Sequence, residues 1–204
     1  LRILQPPNRI IDAGSLGVSE VQIRQIKEIL SHPEGLVLIV GPTGGGKTMT
    51  MYALIRMLDL EPKIAVSVED PVEFDLDHVR QIEVDEEHGL TMSAGLSSVL
   101  RMDPDVIMVG EIRGRKSARI AGRAAASGRF VFSTLHARHA GTAVQVLRNY
   151  NVHDHLLSNT LRLVIVQDLV RKLCPNCRRK KDCSSSDCRA FESFGMESVE
   201  HFYQ

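Results

Sequence analysis

Short apolar runs alternate with helix-forming segments along most of this chain. The clearest runs cover residues 36–40, 64–68, 106–109 and 130–132. Such alternation is typical of parallel strands joined by helical crossovers. The pattern therefore predicts an α/β fold in which helices flank a central, mostly parallel sheet.

The first helix is marked at both ends. Ser19 and Gln22 have the spacing of a capping box, and apolar residues then recur on one face of the following segment. Pro33 and Gly35 end this pattern. We expect the helix to pack beside the strand predicted at 36–40.

Later elements have less regular patterns. Helices are predicted over 93–102 and 115–127, and the acidic stretch 75–89 is expected to be a surface excursion. Asp154 is predicted to cap a further helix. A buried strand is predicted to follow that helix within 156–173.

The first apolar run leads directly into a glycine-rich loop. Residues 41–48 are Gly-Pro-Thr-Gly-Gly-Gly-Lys-Thr, which fits the phosphate-binding pattern of Gly, four residues, and Gly-Lys-Ser/Thr. Backbone N–H groups of such a loop face an anion, Lys47 would lie along the β and γ phosphates, and the Thr48 hydroxyl would bind Mg²⁺. A glycine-rich turn without a ligand is the alternative. The residues expected to bind nucleotide are Pro42, Thr43, Gly44, Gly45, Gly46, Lys47, Thr48 and Met49.

Three further side chains follow apolar runs and are expected at the same edge of the sheet. They are Glu69, Glu111 and His136. Open parallel sheets bind ligands at the carboxyl ends of their strands, and hydrolysis of a nucleoside triphosphate needs a carboxylate beside a water molecule. Glu69 and Glu111 are the candidate carboxylates, with a helix cap or a surface salt bridge as the alternatives. For His136 the alternative is a structural role.

The amino-acid composition argues against a nucleic-acid partner. The 204 residues include 25 Lys and Arg against 25 Asp and Glu, with three Tyr, six Phe and no Trp. This composition lacks the basic field and stacking surfaces of a nucleic-acid binder, so we expect no nucleic-acid partner.

The apolar runs are also far shorter than the roughly 20 residues that span a bilayer, and no signal peptide is recognisable. We therefore expect a soluble, intracellular protein. Because the chain begins with Leu1 instead of methionine, we expect it to be part of a longer protein.

The tail has a composition of its own. Cys174, Cys177, Cys183 and Cys188 lie close together in sequence, and four thiolates form a common tetrahedral zinc site. Reduced thiols are the alternative, and a disulfide is a weaker one. We divide the chain into a lead-in (1–18), an α/β domain (19–173) and a Cys-rich candidate zinc-binding subdomain (174–204).

Four motifs together resemble those of the secretion and pilus-assembly ATPases. This family includes the type II secretion motor and the type IV pilus extension and retraction motors. The resemblance extends over about 1–177, and the motifs occur in the family's order and spacing. They are the glycine loop at 41–48, an acidic box at 68–74, the segment 100–113 with a second nucleotide motif, and a histidine box at 133–137.

The resemblance implies a RecA-like P-loop domain that binds and hydrolyses ATP with Mg²⁺. In its terms Lys47 contacts the phosphates, Glu69 activates water, Glu111 acts on the magnesium side and His136 senses the γ-phosphate. Arg113 resembles a family arginine to which we assign no role. Extension and type II members carry a tetracysteine zinc module at the place of the cysteine-rich tail.

The resemblance also implies partners and location. It implies a homohexamer in the cytoplasm, peripheral to the bacterial inner membrane, that engages an inner-membrane platform protein and a cytoplasmic adaptor. Gly45, Gly114 and Asp168 depart from the family's usual Ser, Asp and Arg, which leaves the specific motor open. We therefore predict a motor for type II secretion pseudopilus or type IV pilus assembly. The alternatives are a nucleotide-gated scaffold with little hydrolysis and a pilus retraction motor.

Overall fold

The computed structural model describes residues 13–193 and 201–203. The predicted lead-in at 1–18 lies mostly outside the described residues, and its described part contains a 3₁₀-helix, Ala13–Leu16. The chain divides into two compact units, Leu1–Asp168 and Leu169–Gln204. The glycine loop and the predicted strand ends all belong to the first unit.

Six strands and six α-helices make up most of the described part of the first unit. The strands are β1 (Gly35–Val40), β2 (Ala65–Glu69), β3 (Val79–Glu83), β4 (Val106–Val109), β5 (Phe130–Leu135) and β6 (Leu161–Val166). The helices are α1 (Glu20–Leu30), α2 (Lys47–Ile55), α3 (Met92–Val99), α4 (Arg115–Ala126), α5 (Ala140–Asn149) and α6 (Asp154–Thr160). A 3₁₀-helix, Leu100–Met102, extends α3.

The second unit is smaller. In it β7 (Lys180–Asp182) pairs antiparallel with β8 (His201–Tyr203), and α7 (Ser185–Ser193) lies between them in sequence. None of the helices in the described ranges is both long and apolar enough to cross a membrane.

The six strands of the first unit form one sheet in the order β3-β2-β4-β5-β1-β6. Every neighbouring pair is parallel, which confirms the predicted α/β architecture. Val40 at the end of β1 pairs with Leu135 on one side and Val166 on the other. The segments that follow β1, β5 and β6 therefore leave the sheet side by side.

Apolar side chains cover both faces of this sheet. All six residues of β1 are buried. Leu36, Leu38 and Val40 pack in one cluster with residues of α3, α4, α5 and α6. Val37 and Ile39 pack in the other with residues of α1 and α2. Because successive strand residues point to opposite faces, one buried strand supports both layers of helices.

The start of α1 confirms the predicted capping box. The Gln22 backbone N–H donates to Ser19 Oγ at 3.3 Å, and the Ser19 backbone N–H donates to Gln22 Oε1 at 3.0 Å. Two backbone donors at the helix N-terminus are thereby satisfied.

The segment 75–89 is more regular than its sequence suggests. It contains β3, which pairs in parallel with β2 from Ala65 opposite Val79 to Glu69 opposite Glu83. β3 is an edge strand, and its side chains are half-buried or exposed. A polar edge strand gives little hydrophobic alternation, so the prediction of an unpatterned surface excursion was wrong.

Some element ends also differ from the predictions. α6 begins at Asp154, but His153 occupies the cap position. Asp154 instead pairs with Arg148, whose Nε lies 2.6 Å from Asp154 Oδ1. The strand after α6 exists as predicted, but β6 is half-buried because it lies at the other edge of the sheet. β5 runs on to Leu135 instead of ending at Phe132, and α5 had no predicted counterpart.

Replacing Gly95 with alanine is expected to destabilise the fold. Gly95 lies in α3, and an added Cβ would come 2.8 Å from Cγ1 of Val68, a fully buried β2 residue. Overpacking of this kind costs about 1–3 kcal/mol of unfolding free energy. Gly141→Ala in α5 is the matched control, since nothing lies within 4 Å of its added Cβ. Urea denaturation would measure both variants, and equal midpoints would contradict the close packing of α3 on β2.

Candidate active site

The glycine loop crosses from the end of β1 to the start of α2. Gly46, at the cap of α2, has φ 76° and ψ 20°, a left-handed conformation that favours glycine. At Gly41, φ is 158° and an added Cβ would collide with the backbone oxygen of Gln167. The glycines thus allow a tight turn that leads into a helix N-terminus, the arrangement that binds phosphate groups.

Lys47 is the first residue of α2 and reaches back over the loop. Its Nζ donates to the backbone oxygen of Gly41 at 3.1 Å and to that of Pro42 at 2.8 Å. Burial lowers the pKa of Lys47, and the Glu111 carboxylate acts in the opposite direction. Lys47 and Glu111, predicted from separate motifs, therefore interact electrostatically at one edge of the sheet.

Glu111 lies two residues beyond the end of β4, with its side chain 16% exposed. Its Oε1 lies 2.7 Å from His136 Nε2, and its Oε2 accepts a hydrogen bond from Arg113 Nε at 2.6 Å. Arg113 Nη1 also donates to Asp70 Oδ2 at 2.8 Å. The hydrogen bond to Glu111 raises the pKa of Arg113, although burial opposes this. Asp70, Arg113, Glu111 and His136 thus form a continuous polar chain.

Backbone hydrogen bonds join the strand ends that position this polar chain. The Gly110 N–H donates to Val68 O at 2.8 Å, and the Ile112 N–H donates to Thr134 O at 3.0 Å. The Thr134 hydroxyl donates to Gly110 O at 2.7 Å. Glu111 is therefore flanked on both sides by residues fixed to neighbouring strands.

Glu69 has a different environment. It is the last residue of β2 and is only 1% exposed. Its carboxylate accepts hydrogen bonds from the Tyr52 hydroxyl, from Ser67 Oγ at 2.7 Å and from Gln81 Nε2 at 2.9 Å. Glu69 is neither a helix cap nor a surface ion pair. It connects α2, β2 and β3 from within the protein.

Gln167 is a site residue that the sequence analysis missed. It follows β6 directly, its backbone N–H donates to Val40 O at 2.9 Å, and its Nε2 donates to the backbone oxygen of Gly45 inside the glycine loop. The rule that identified Glu69 and Glu111, a polar residue where a parallel strand ends, applies equally to Gln167. The apolar stretch 156–173 has a mixed period that gives no sign of where β6 ends, so the rule does not single out Gln167 from the sequence.

A family model described as "Type II/IV secretion system protein" matches residues 1–204. The chain belongs to this family. It is 38% identical over 192 residues to "Type II secretion system protein E" of Klebsiella pneumoniae, covering 94% of this chain and 39% of that protein. It is 43% identical over 179 residues to "Type IV pilus assembly ATPase PilB" of Acinetobacter baylyi, covering 88% of this chain and 31% of that protein. The chain thus spans about two fifths or less of the length of these relatives.

Solved structures agree with this assignment. The pilus retraction motor PilT with bound ADP superposes with a TM-score of 0.69 at 30% identity, over 78% of this chain and 48% of PilT. The ATPase DotB of Legionella pneumophila superposes with a TM-score of 0.66 at 26% identity, over 78% of this chain and 46% of DotB. The predicted RecA-like architecture of this secretion-family chain is confirmed.

The cysteines of this secretion-family chain occur as two pairs. Cys174 is hydrogen-bonded with Cys177, and Cys183 with Cys188. Within residues 13–193 and 201–203, no group of three or more Cys, His, Asp or Glu side chains is placed to hold a metal ion. Desolvation raises the pKa of Cys183 to about 11, whereas backbone hydrogen bonds of Asn176 and Cys177 lower the pKa of Cys174. The described residues therefore give no support to the predicted zinc site, and zinc binding stays a prediction.

Tyr52→Phe is expected to lower stability in a pH-dependent way. The change removes one donor to the buried Glu69 carboxylate, which costs about 1–3 kcal/mol near neutral pH. Burial raises the pKa of Tyr52 above its ordinary 10.0, and the hydrogen bond to Glu69 acts in the same direction. The stabilising contribution is therefore complete below about pH 10 and is lost as the pH rises further.

The unfolding free energies of wild type and Tyr52→Phe should consequently converge above about pH 10. Chemical denaturation at several pH values would measure this difference. Tyr150→Phe serves as the control, since the Tyr150 hydroxyl donates at 3.3 Å to the backbone oxygen of Arg113, away from Glu69. A difference that stays constant across this pH range would contradict the assigned role of the Tyr52 hydroxyl.

Gln167→Ala is expected to weaken binding of tripolyphosphate, the probe for the phosphate site predicted at the glycine loop. Loss of one net hydrogen bond to the Gly45 backbone should reduce the affinity for tripolyphosphate by roughly two- to tenfold. Gln145→Ala is the control, because Gln145 Nε2 donates only at 3.2 Å to Asn149 within α5. Calorimetric titration would compare the two variants, and equal affinities would exclude Gln167 as a support of the loop.

Proposed function

We propose that this chain is an ATP-hydrolysing motor domain that drives assembly of a type II secretion pseudopilus or a type IV pilus. One observation carries the proposal. Lys47 at the glycine loop interacts with Glu111, which in turn lies 2.7 Å from His136. A carboxylate and an imidazole thus make contact at the strand ends where open parallel sheets bind ligands, and the Lys47 ammonium at the start of α2 is within the electrostatic influence of that carboxylate.

The residues at this edge fit ATP and magnesium. Hard cations prefer oxygen ligands, and Thr48 supplies a hydroxyl in the first turn of α2 while Glu111 supplies a partly exposed carboxylate. Bound Mg²⁺ would neutralise charge that develops on the phosphates during transfer. Lys47 and the backbone N–H groups of 42–49 would hold the phosphates themselves.

Two carboxylates are proposed to act on the attacking water. Both oxygens of Glu111 are engaged, one with His136 and one with Arg113, so Glu111 acts once either partner moves toward the nucleotide. Glu69 is held by three donors, of which Tyr52 and Ser67 are buried, and it reaches water only if Tyr52 or Gln81 releases it. The geometry therefore favours Glu111 as the carboxylate nearer the phosphates, with His136 coupled to the γ-phosphate position.

The larger assembly is inferred from relatives. Proteins named as type II secretion system protein E and as the pilus assembly ATPase PilB share 38% and 43% identity with this chain. By that likeness we propose a homohexamer in the cytoplasm, peripheral to the inner membrane. Its partners would be an inner-membrane platform protein and a cytoplasmic adaptor.

A retraction motor is the second candidate, supported by the likeness to PilT at 30% identity. A scaffold that binds nucleotide with little hydrolysis is the third. The contact of Glu111 with His136, and the electrostatic influence of Glu111 on Lys47, favour hydrolysis over the scaffold, because a scaffold needs only the phosphate loop.

Substitution of the two glutamates should separate their roles. In the full-length protein, Glu111→Gln is expected to slow magnesium-dependent phosphate release at least about tenfold, a loss of about 1.4 kcal/mol of transition-state stabilisation. Glu69→Gln is expected to slow it similarly if Glu69 reaches the water. Steady-state phosphate release at matched nucleotide occupancy is the measurement.

Two control variants set the background rate and the effect of a Glu→Gln change away from the site. Lys47→Ala defines the background rate, and Glu61→Gln, an exposed residue of the α2–β2 connection, is the matched acidic control. If wild type releases phosphate no faster than the Lys47→Ala variant, the motor proposal is wrong. Full activity of Glu69→Gln with loss in Glu111→Gln would make Glu69 a structural residue.

A further inference from the structure

A cavity outside the candidate active site lies between α4 and the start of α6. It has a volume of about 330 Å³ and is lined on one side by Arg119 and Arg123 of α4. His153 and His155 line it at the start of α6. None of these residues belongs to the glycine loop or to the polar chain around Glu111.

The wall of the cavity formed by α4 is strongly basic. α4 contains four exposed cations, Arg115, Lys116, Arg119 and Arg123, and no acidic residue. Within the described ranges, no carboxylate lies within 4.0 Å of the guanidinium of Arg119 or Arg123. The two arginines are four positions apart, so they project from the same face of the helix.

The opposite wall does not neutralise this charge. Asp154 is the sole acidic residue of segment 151–156, and both its oxygens are engaged by Arg148, at 2.6 Å and 3.1 Å. The rings of His153 and His155 are stacked, with centroids 5.7 Å apart and an interplanar angle of 16°. Exposed imidazole nitrogens add hydrogen-bonding groups to a cavity that already has two uncompensated guanidinium groups.

The cavity also has an apolar part. Val152, which is 3% exposed, and the half-buried Leu156 line it. A bare anion would gain nothing from these side chains. A ligand with an anionic head and a short apolar or neutral body would contact both kinds of surface.

We propose that this cavity binds an organic phosphate monoester. Guanidinium groups form paired hydrogen bonds with phosphate oxygens, and a phosphate monoester carries the charge that matches two arginines. The source of the monoester is either a free metabolite or a lipid headgroup. The inference is independent of the proposed ATP hydrolysis, because it uses no residue of that site.

Binding should be measured on the full-length protein carrying Lys47→Ala, which weakens the glycine loop as a competing phosphate site; the arginine variants below then show which binding belongs to the cavity. Glycerol 3-phosphate represents a free monoester, and vesicles of phosphatidylcholine with or without phosphatidic acid represent a headgroup. Calorimetry and vesicle co-sedimentation are expected to detect saturable binding of at least one probe. Binding of the first probe would identify a metabolite site, and binding only of phosphatidic acid vesicles a membrane-facing one.

Arg119→Ala with Arg123→Ala should reduce that binding about tenfold or more, because charge-assisted hydrogen bonds are lost. The control pair is Arg56→Ala with Arg80→Ala, two exposed arginines outside the cavity. This pair should change the affinity for the probe by no more than about twofold, because salt screens the attraction of distant surface charges. Thermal melting would show that both variants fold. Imidazole NMR signals of His153 and His155 should shift on titration.

Three results would overturn the proposal. One is no saturable binding of either probe. Another is an equal loss in both arginine pairs, which would mean general attraction of anions. The third is full retention in Arg119→Lys with Arg123→Lys together with equal binding of poly-glutamate, since a site for a phosphate monoester depends on the planar guanidinium.

Discussion

β1 is the element on which the candidate site depends. Each of its residues is buried, and it is hydrogen-bonded to a strand on either side, so it cannot shift without breaking two ladders at once. Its last residue, Val40, fixes where the glycine loop begins and also accepts the backbone N–H of Gln167. The loop is therefore positioned by the sheet, and only its local turns depend on glycine.

The two glutamates illustrate how position relative to a strand decides chemistry. Glu69 is the final residue of β2 and stays within the ladder, where its side chain lies against Tyr52 of α2. Glu111 lies beyond Val109, the last residue of β4, and its partners are the exposed side chains of Arg113 and His136. Similar carboxylates thus have a buried, fully bonded environment in one case and an accessible one in the other.

The sequence supported the parallel sheet and the glycine loop because both depend on local patterns of apolar and glycine residues. The burial of Glu69 could not be predicted, since its partners Tyr52 and Gln81 come from other elements whose packing no local pattern specifies. Gln167 was missed because the apolar stretch around it has a mixed period and no turn residue marks the end of β6. The cavity beside Arg119 likewise depends on α4 and α6 meeting in the fold.

The polar edge strand β3 limits the addition of other chains to the sheet. An edge strand has unpaired N–H and C=O groups to which another chain can add. In β3 the exposed side chains of Arg80 and Glu83 place charge along that border. An incoming strand would have to approach or desolvate these charges. The polar residues of β3 leave it without hydrophobic alternation in the sequence. The same residues disfavour the addition of further strands to the sheet.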